Sequence, residues 1–439
     1  RKYNENLLIQ ESRCSLNLLL KSPNVFQNGE FVKRDILIED GKITAIEPNL
    51  SFSDNFSGHI VRYDRFFISK GFADIHVHFR EPGYSYKATI KQESKAAAAG
   101  GFTAVATMPN LNPHPDTLVH LQEELDLINR DASIKVLPYG TITLQSQGKE
   151  LSELKKMSPY VAGFSDDGVG VENDELMLKA FEIAKELNLP ITSHCEFPDE
   201  KPGVIHDGLF AKQHNLPGIS SKSEWSMVKR DIELVRQTGC RYNVCHVSTK
   251  ESVDLIRQAK KEGLPVSGEA APHYLIMNDM DLQDLGRFKM NPPIRSKEDQ
   301  AAIREAFLDG TLEILATDHA PHSAEEKSQG LLNSNFGIVG LETAFALINT
   351  EFVQTGLLSL ETLMQRMVVA PRQFLKLETE LKVGQKADFV VFDPEAEYQI
   401  NSENFLSLGK ATPFEEKKVK GKILYTFYDG ELVYRNNNL

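Results

Sequence analysis

Eight short apolar runs alternate with helical stretches through the middle of the chain, and this alternation constrains the fold most strongly. The runs that we interpret as strands are Ala73–Val77, Thr103–Thr107, Ile134–Tyr139, Val161–Ser165, Pro190–Ser193, Tyr242–Val247, Leu264–Gly268 and Leu312–Ala316. Helical segments between them include Lys87–Ala99, Leu118–Asn129, Asn173–Leu187, Lys222–Thr238, Lys250–Lys261 and Lys297–Leu308. Eight such units over roughly 300 residues predict a (β/α)8 barrel. The alternative is an open doubly wound sheet with two extra strands.

Both ends of the chain depart from this alternation. The segment 36–46 reads as a hairpin that turns at Asp40-Gly41, a dipeptide typical of tight hairpins. Residues 387–392 and 423–434 have the same character. Isolated hairpins are marginal in water, so we expect the two ends to pair. The predicted α/β fold is a TIM barrel over 69–375, with a small discontinuous β-sandwich domain formed by 1–68 and 376–439.

Charge and composition argue against several classes of partner. The formal net charge is -13 and there is no basic tract, which disfavours nucleic acid and anionic membranes as partners. No run approaches the ~18 apolar residues of a membrane span, and residues 1–6 lack the apolar region of a secretory signal. Four cysteines in 439 residues, Cys14, Cys195, Cys240 and Cys245, are too few for a disulfide framework. We therefore expect buried, reduced thiols and a cytoplasmic location.

Residues able to bind a metal lie at the carboxyl ends of five of the eight predicted strands. They are His76 and His78 at the end of the first strand, Asp166 and Asp167 at the fourth, His194 at the fifth, His246 at the sixth and Asp318 at the eighth. The carboxyl ends of barrel strands converge on one face, where active sites lie. A His-x-His pair on a strand also points both imidazoles to the same side. The pattern predicts a nitrogen and oxygen ligand set suited to zinc or a similar divalent ion.

Each of these residues has an ordinary structural explanation when taken alone. A single histidine at a strand end is more often hydrogen-bonded than metal-bound, and Asp318 could cap a helix. Five strand ends that present ligands together favour a metal centre. With one aspartate of the Asp166-Asp167 pair, the ligands number six, too many for one catalytic zinc, whereas two metals sharing a carboxylate would use them all. Two such metals can hold a hydroxide and polarise a carbonyl, so we expect hydrolysis of an amide or a related bond.

The motifs around these residues resemble the amidohydrolase superfamily in its bacterial type I dihydroorotase form. They are Gly71–Gly83, Met108–Asn110, Phe164–Gly168, Ser193–Glu196, Cys245–Thr249, Met290–Arg295 and Ala316–His322. They occur in the family's order and cover nearly the whole chain. The resemblance implies a cyclic amide hydrolase that interconverts L-dihydroorotate and N-carbamoyl-L-aspartate in pyrimidine biosynthesis, with two Zn²⁺ per subunit.

The resemblance also implies a role for each ligand. His76, His78 and Asp318 would bind one metal, and His194 and His246 the other. Many relatives bridge the metals with a carboxylated lysine, but 161–171 contains no lysine. The family's bridge falls on Asp167, although the sequence alone does not separate it from Asp166. Asp318 would also act as general acid and base, taking a proton from the bridging hydroxide and passing it to the leaving nitrogen.

A group for the substrate's carboxylate distinguishes dihydroorotases from hydrolases of uncharged rings. Arg80 lies two residues after His78, and its guanidinium can bind a carboxylate through two parallel hydrogen bonds. The family implies that Asn110 and His322 assist Arg80, that Asn291 contacts the ring, and that Gly337 makes a backbone contact. The polar segment His319–Phe336 should form a loop over the site.

Several alternatives stay open at this stage. A dihydropyrimidinase or allantoinase would share the barrel and the His-x-His pair, and a metal-free relative could act as a structural partner. His273 could lie behind the metal ligands or be purely structural. The choice of metal and any association with other enzymes are not determined by the sequence, and a homodimer is only the base-rate expectation.

Overall fold

The structure is a computed structural model that describes residues 17–51, 56, 58–198 and 202–436. Cys14 and the segment 1–6 lie outside these residues. Within the described part of the chain, no helix is long and apolar enough to cross a membrane. The three described cysteines, Cys195, Cys240 and Cys245, are buried free thiols.

The barrel is closed by parallel pairing of neighbouring strands. Its regular strands are β8 (Phe72–Val77), β9 (Phe102–Thr107), β10 (Lys135–Pro138), β11 (Ile191–Ser193), β14 (Tyr242–Val244), β15 (Val266–Ala270) and β16 (Ile314–Leu315). A two-stranded sheet, β12 (Ile205–His206) and β13 (Gly218–Ile219), lies in the connection that follows β11. Phe164 takes the place of the fourth strand through single parallel bridges to Gly140 and Ile191. A bridge from Val77 to His319 joins the last strand to the first. The eight-stranded barrel prediction is confirmed.

The fourth barrel strand is shorter than the sequence predicts. Of the segment 161–165, only Phe164 makes ladder bridges, although its N–H still donates to the carbonyl of Pro190. Pro190 has no N–H to return to the ladder. Close packing also limits this segment, because a Cβ at Gly163 would lie 2.7 Å from the carbonyl oxygen of Pro190.

Helices flank the barrel strands and begin at well-defined caps. Those described are α1 (Ile90–Ala99), α2 (Leu118–Asp131), α3 (Leu154–Met157), α4 (Asp174–Glu186), α5 (Leu209–His214), α6 (Ser221–Thr238), α7 (Lys250–Lys261), α8 (Pro272–Ile276), α9 (Lys297–Asp309), α10 (Gly330–Asn333), α11 (Ala344–Ile348), α12 (Leu360–Met364) and α13 (Ala370–Phe374). Six of the longer ones start after a side chain that accepts a hydrogen bond from the first turn: Thr89, Thr117, Asn173, Ser220, Thr249 and Ser296. Such caps satisfy backbone donors that the helix leaves free.

The two ends of the chain form one β domain, as predicted. Its strands are β1 (Leu18–Lys21), β2 (Asn24–Gln27), β3 (Glu30–Lys33), β4 (Asp35–Glu39), β5 (Lys42–Glu47), β6 (His59–Arg62), β7 (Phe67–Lys70), β17 (Phe389–Gln399), β18 (Lys418–Tyr428) and β19 (Glu431–Arg435). One sheet has the order β5-β4-β1-β6, and the other β19-β18-β17-β7-β2-β3. The antiparallel pairing of β7 with β17 joins the chain ends. The boundaries at 68 and 376 stay a prediction.

An aromatic cluster joins the barrel to the β domain. The ring of Phe72 at the start of β8 lies 5.5 Å from Phe345 and 5.9 Å from Phe392 of the β domain. Beside it, buried Arg372 donates to the carbonyl of Gly71 and pairs with Asp388. These contacts fix the amino end of β8, so its carboxyl end is held at the opposite mouth of the barrel.

Candidate metal centre

Six side chains converge at the carboxyl ends of the barrel strands. His76 lies within β8 and His78 just beyond it. The others follow, in turn, the fourth strand position at Phe164, then β11, β14 and β16. The six, all buried, are His76, His78, Asp167, His194, His246 and Asp318. The structure therefore brings together all six residues that the sequence singled out as metal ligands.

The first half of the cluster is formed by the His-x-His pair and two carboxylates. His76 Nε2 lies 3.4 Å from both Asp167 Oδ1 and Asp318 Oδ1. His78 Nε2 lies 3.1 Å from Asp318 Oδ1 and 3.5 Å from Asp167 Oδ2. Ligand atoms of His76, His78 and Asp318 all lie within 4.8 Å of one another, a spacing that could hold one metal ion.

The second half is formed by the histidines that follow β11 and β14. His194 Nδ1 and His246 Nε2 are 3.0 Å apart, and each lies 3.9 Å from Asp167 Oδ1. His76, Asp167 and His246 form another group with metal-ligand spacing. Asp167 therefore contacts both halves of the cluster.

Asp166 faces away from the imidazoles. Its carboxylate accepts hydrogen bonds from the backbone N–H groups of Ile142 and Thr143 and from the hydroxyl of Thr143. Burial raises its pKa to about 6, although these hydrogen bonds lower it. Asp166 thus anchors the loop after β10, and Asp167 is the member of the pair that lies among the ligands.

Opposite charges dominate the electrostatics of the cluster. Burial would raise the pKa of Asp167, but the imidazoles of His76 and His78 hold it well below its usual value. The pKa of Asp318 is also lowered, because His76 and His78 outweigh its burial. The pKa of His246 falls to about 3 through burial and the neighbouring His194. The site therefore favours ionised carboxylates and a neutral His246, the forms in which these groups bind metals.

Unpartnered atoms in the cluster fit divalent metals. His76 Nε2 and Asp167 Oδ1 are buried and have no hydrogen-bond partner among the described residues. Buried polar atoms of this kind are rare and call for a specific explanation. Imidazole nitrogens and carboxylate oxygens are ordinary zinc ligands. The donor set and its unpartnered atoms therefore suit zinc.

Three residues around the cluster adopt a left-handed backbone conformation. Arg80, His246 and Asp318 have φ values of 64°, 29° and 49°. Non-glycine residues adopt positive φ at a cost, and such positions concentrate at functional sites. No local sequence pattern predicted these conformations.

Two carboxylates behind the cluster, buried Glu269 and partly exposed Glu196, orient its imidazoles, and the sequence predicted a role for neither. Glu269 on β15 accepts from His76 Nδ1 at 3.0 Å and from the backbone N–H of His246 at 2.9 Å. Glu196 accepts from His194 Nε2 at 2.8 Å. The available signal for Glu269 was an acidic residue inside an apolar strand. Such outer partners fix the ring orientation of metal-binding histidines.

The predicted substrate residues surround the metal ligands. Asn110 Oδ1 accepts from His78 Nδ1 at 2.9 Å, so this asparagine also orients a ligand. Asn291 donates to Glu196 at 2.7 Å. Gly337 has a φ of 133°, and a Cβ there would lie 2.9 Å from His322 Nε2. Its N–H donates to the carbonyl of Lys289, so the amide hydrogen is already occupied.

Arg80 and His322 lie together at the edge of the cluster. Arg80 donates through Nε to the carbonyl of Pro321 at 3.1 Å, and its Nη2 lies 3.2 Å from His322 Nε2. Among the described residues, Arg80 forms no ion pair with a carboxylate, although its side chain is buried. Burial lowers its pKa, against the attraction of Asp318 and Asp167.

His273 lies at the start of α8 behind the site. It is buried, its Nε2 has no hydrogen-bond partner among the described residues, and burial lowers its pKa to about 4. The imidazole is therefore neutral.

Comparisons with known proteins point to one family. Residues 66–252 match the family model described as Dihydro-orotase-like. A dihydroorotase of Fusobacterium nucleatum is 43% identical over 420 residues, covering 95% of this chain and 98% of that protein. A dihydroorotase of Enterococcus faecalis is 45% identical over 423 residues, covering 93% and 98%.

Solved structures share the fold at lower identity. L-hydantoinase (dihydropyrimidinase) from Arthrobacter aurescens superposes with a TM-score of 0.85 at 25% identity, covering 97% of both chains. Dihydropyrimidinase from Brevibacillus agri gives a TM-score of 0.80 at 21% identity, covering 96% of this chain and 95% of that one. The barrel with its composite β domain is thus shared with cyclic amide hydrolases.

Proposed function

The chain belongs to the dihydroorotase family, and from this premise we propose that its site hydrolyses and re-forms the ring of L-dihydroorotate with two zinc ions. It is a cyclic amide hydrolase with a small-molecule substrate, and its metal site is built from the six converging residues. His76, His78 and Asp318 would hold one zinc, His194 and His246 the other, and Asp167 would contact both. Zinc in such a site supplies Lewis acidity, which polarises a carbonyl and lowers the pKa of water.

The choice of substrate rests on the buried guanidinium of Arg80. A buried cation is costly unless it is paired, and Arg80 has no carboxylate partner among the described residues. A substrate carboxylate would provide that partner through two parallel hydrogen bonds. Dihydroorotate carries such a carboxylate, whereas hydantoin and dihydrouracil do not.

Asp318 would carry out the proton transfers of the reaction. Asp318, whose pKa is lowered by His76 and His78, is ionised and ready to accept a proton from the attacking water. In hydrolysis the water oxygen bonds to the ring carbonyl carbon, the carbon–nitrogen bond breaks, and Asp318 returns the proton to the leaving nitrogen. Cyclisation reverses these transfers.

Positioning falls to the residues at the edge of the pocket. Arg80, with Asn110 and His322, would hold the substrate carboxylate, while Asn291 and the backbone carbonyl of Gly337, whose N–H is bonded to Lys289, would contact the ring. Phe336, at the end of the segment 319–336, lines a cavity of about 410 Å³ together with Glu196 and Asn291. Holding the ring in one orientation lowers the entropic part of the barrier.

A substrate comparison tests this proposal. Purified protein is assayed with L-dihydroorotate, hydantoin and allantoin, before and after removal of metal with a chelator. We expect turnover of dihydroorotate only, loss on chelation and recovery with zinc. Arg80→Ala should abolish most dihydroorotate turnover. Preferential turnover of hydantoin or allantoin, or an Arg80→Ala variant with unchanged kinetics, would assign the chain to another cyclic amidase.

Two further proposals concern location and assembly. The buried thiols of Cys195, Cys240 and Cys245 support a reducing compartment, which we propose is the cytoplasm. The homodimer stays a base-rate prediction, and light scattering of the purified protein tests it.

A further inference from the structure

Lys87 is a half-buried cation next to the proposed carboxylate site. It precedes α1, and its side chain is only 12% exposed. Its Nζ lies 3.2 Å from His322 Nδ1 and 2.9 Å from Glu326 Oε1. None of the roles proposed above uses Lys87, so its approach to His322 needs an explanation.

The other side of the His322 imidazole fixes where its hydrogen lies. His322 Nε2 is 2.7 Å from the carbonyl oxygen of Phe336 and 3.2 Å from Arg80 Nη2. A carbonyl oxygen can only accept, so a contact of 2.7 Å requires a hydrogen on Nε2. Arg80 Nη2 and His322 Nε2 are then two neighbouring donors, with no hydrogen bond between them.

The imidazole is neutral and therefore carries a single N–H. Burial and the positive charges of Arg80, Lys87 and Lys327 lower the pKa of His322 to about 3. With the hydrogen on Nε2, Nδ1 has a free lone pair. An ammonium group has three donors and no acceptor, so Lys87 Nζ is suited to donate to that lone pair.

We propose that Lys87 is a positioning residue that holds His322 in the Nε2–H tautomer, so that His322 accepts nothing from Arg80 and leaves Arg80 Nη2 free to donate to the substrate carboxylate. The proposal rests on the proposed function, because it deepens the assignment of that carboxylate site. In the opposite tautomer the Nε2 lone pair would accept from Arg80 Nη2, 3.2 Å away, and so compete with the substrate carboxylate for that donor. Lys87 thus acts on specificity without touching the substrate.

Glu326 provides the competing interaction that makes Lys87 necessary. Glu326 Oε2 lies 3.4 Å from His322 Nδ1, and its pKa is lowered to about 2 because Lys87 and the N–H of Ser323 outweigh its burial. Without Lys87, this carboxylate would draw the imidazole hydrogen to Nδ1. The same ammonium that donates to His322 also neutralises Glu326.

The tautomer can be read directly in the ligand-free protein. Long-range ¹⁵N–¹H NMR of histidine-labelled protein distinguishes protonated from unprotonated ring nitrogens, and a His322→Asn variant identifies the His322 signals. We expect Nε2–H in the wild type and Nδ1–H in Lys87→Met. Protonated Nδ1 in the wild type, or retention of Nε2–H in Lys87→Met, would overturn the proposal.

Kinetics test the consequence for substrate. Lys87→Met should raise KM for dihydroorotate roughly 10- to 100-fold, the cost of a lost charge-assisted hydrogen bond, and change kcat less than about 3-fold. Inhibition by dihydrouracil, which has no carboxylate, should be unchanged. A fall in kcat with unchanged KM, or equal weakening of dihydrouracil, would contradict the proposal.

Matched variants separate positioning from folding. Lys87→Arg keeps a cation and donor and should restore most of the affinity and the Nε2–H tautomer. Tyr86→Phe removes a hydroxyl that donates to Glu326 at 3.2 Å but leaves Lys87 in place, and it should match the wild type. If Lys87→Met does not fold, Lys87→Gln serves in both assays with the same expected direction. An inactive wild type with the expected tautomer would refute the proposed function while leaving the tautomer assignment intact.

Discussion

Glu269→Gln should weaken zinc binding although Glu269 is not a predicted ligand. The carboxylate accepts from His76 Nδ1 at 3.0 Å and the N–H of His246 at 2.9 Å, while its other oxygen accepts from Asn243 Nδ2 at 2.8 Å. Glutamine keeps the size of the side chain but loses the charge. Its amide also replaces one acceptor oxygen with an NH₂ group, which would then face at least one of these three N–H donors without a lone pair to accept its hydrogen.

The expected magnitude follows from these contacts. A hydrogen bond to a charged group contributes ~1.5–3 kcal/mol, and loss of such support typically lowers metal affinity about 10- to 100-fold. We therefore expect a 10- to 100-fold weaker zinc complex and a parallel fall in activity at limiting zinc. Excess zinc should restore much of the activity, because the ligands themselves are unchanged.

Competition with a chromophoric zinc chelator measures the affinity, and Glu124→Gln provides the control. Glu124 on α2 is also a buried glutamate, but it accepts from Thr107 Oγ1 at 2.8 Å, and Thr107 is not a proposed ligand. We expect Glu124→Gln to bind zinc like the wild type. Equal zinc affinity in the wild type and Glu269→Gln would refute the idea that Glu269 orients His76 for the metal.

Three further predictions follow. Asp318→Asn should lower kcat for dihydroorotate about 10²- to 10⁴-fold, because it removes the proposed general acid and base; steady-state kinetics at saturating zinc would contradict this if kcat were retained. Burial raises the pKa of Glu124 to about 8 from 4.5, so the folded state binds this proton more tightly and the free energy of unfolding should fall as pH rises from ~5 to ~8. In urea unfolding, Glu124→Gln should show a smaller fall over this range. Equal pH dependence in the wild type and the variant would refute this. Removing metal should lower the melting temperature as well as activity, since only the folded site brings the ligands together; calorimetry showing no shift would argue that the cluster binds no metal.

Much of the fold follows from patterns that are local in the sequence. The helix Lys250–Lys261 has the predicted bounds, and its cap at Thr249 and its apolar spacing explain why. The strand predicted over 264–268 instead spans Val266–Ala270. Short apolar runs define the existence of a strand better than its ends, which depend on pairing with neighbours.

The candidate site could be predicted where its residues lie at strand ends. The six converging side chains were found because barrel topology places strand ends together. The choice of Asp167 over Asp166 needed the family resemblance, because adjacent residues share a strand end. The structure adds the reason, since the Asp166 carboxylate accepts hydrogen bonds from the backbone N–H groups of Ile142 and Thr143.

Residues that support the site from other elements were missed. Glu269 contacts His76 across 193 positions of sequence, and Lys87 contacts His322 across 235. Neither contact has a local pattern, because a single buried acid or an isolated lysine has several ordinary explanations. Their roles emerge only from distances and from the hydrogen-bond capacity of each imidazole nitrogen.

The proposed function requires two zinc ions, one bound by each half of the cluster that Asp167 contacts. Anomalous diffraction at the zinc absorption edge, from crystals of the zinc-loaded protein, tests it most directly. We expect two peaks about 3.5–4 Å apart, one beside His76 and His78 and the other beside His194 and His246. A single peak, or peaks away from these imidazoles, would contradict it.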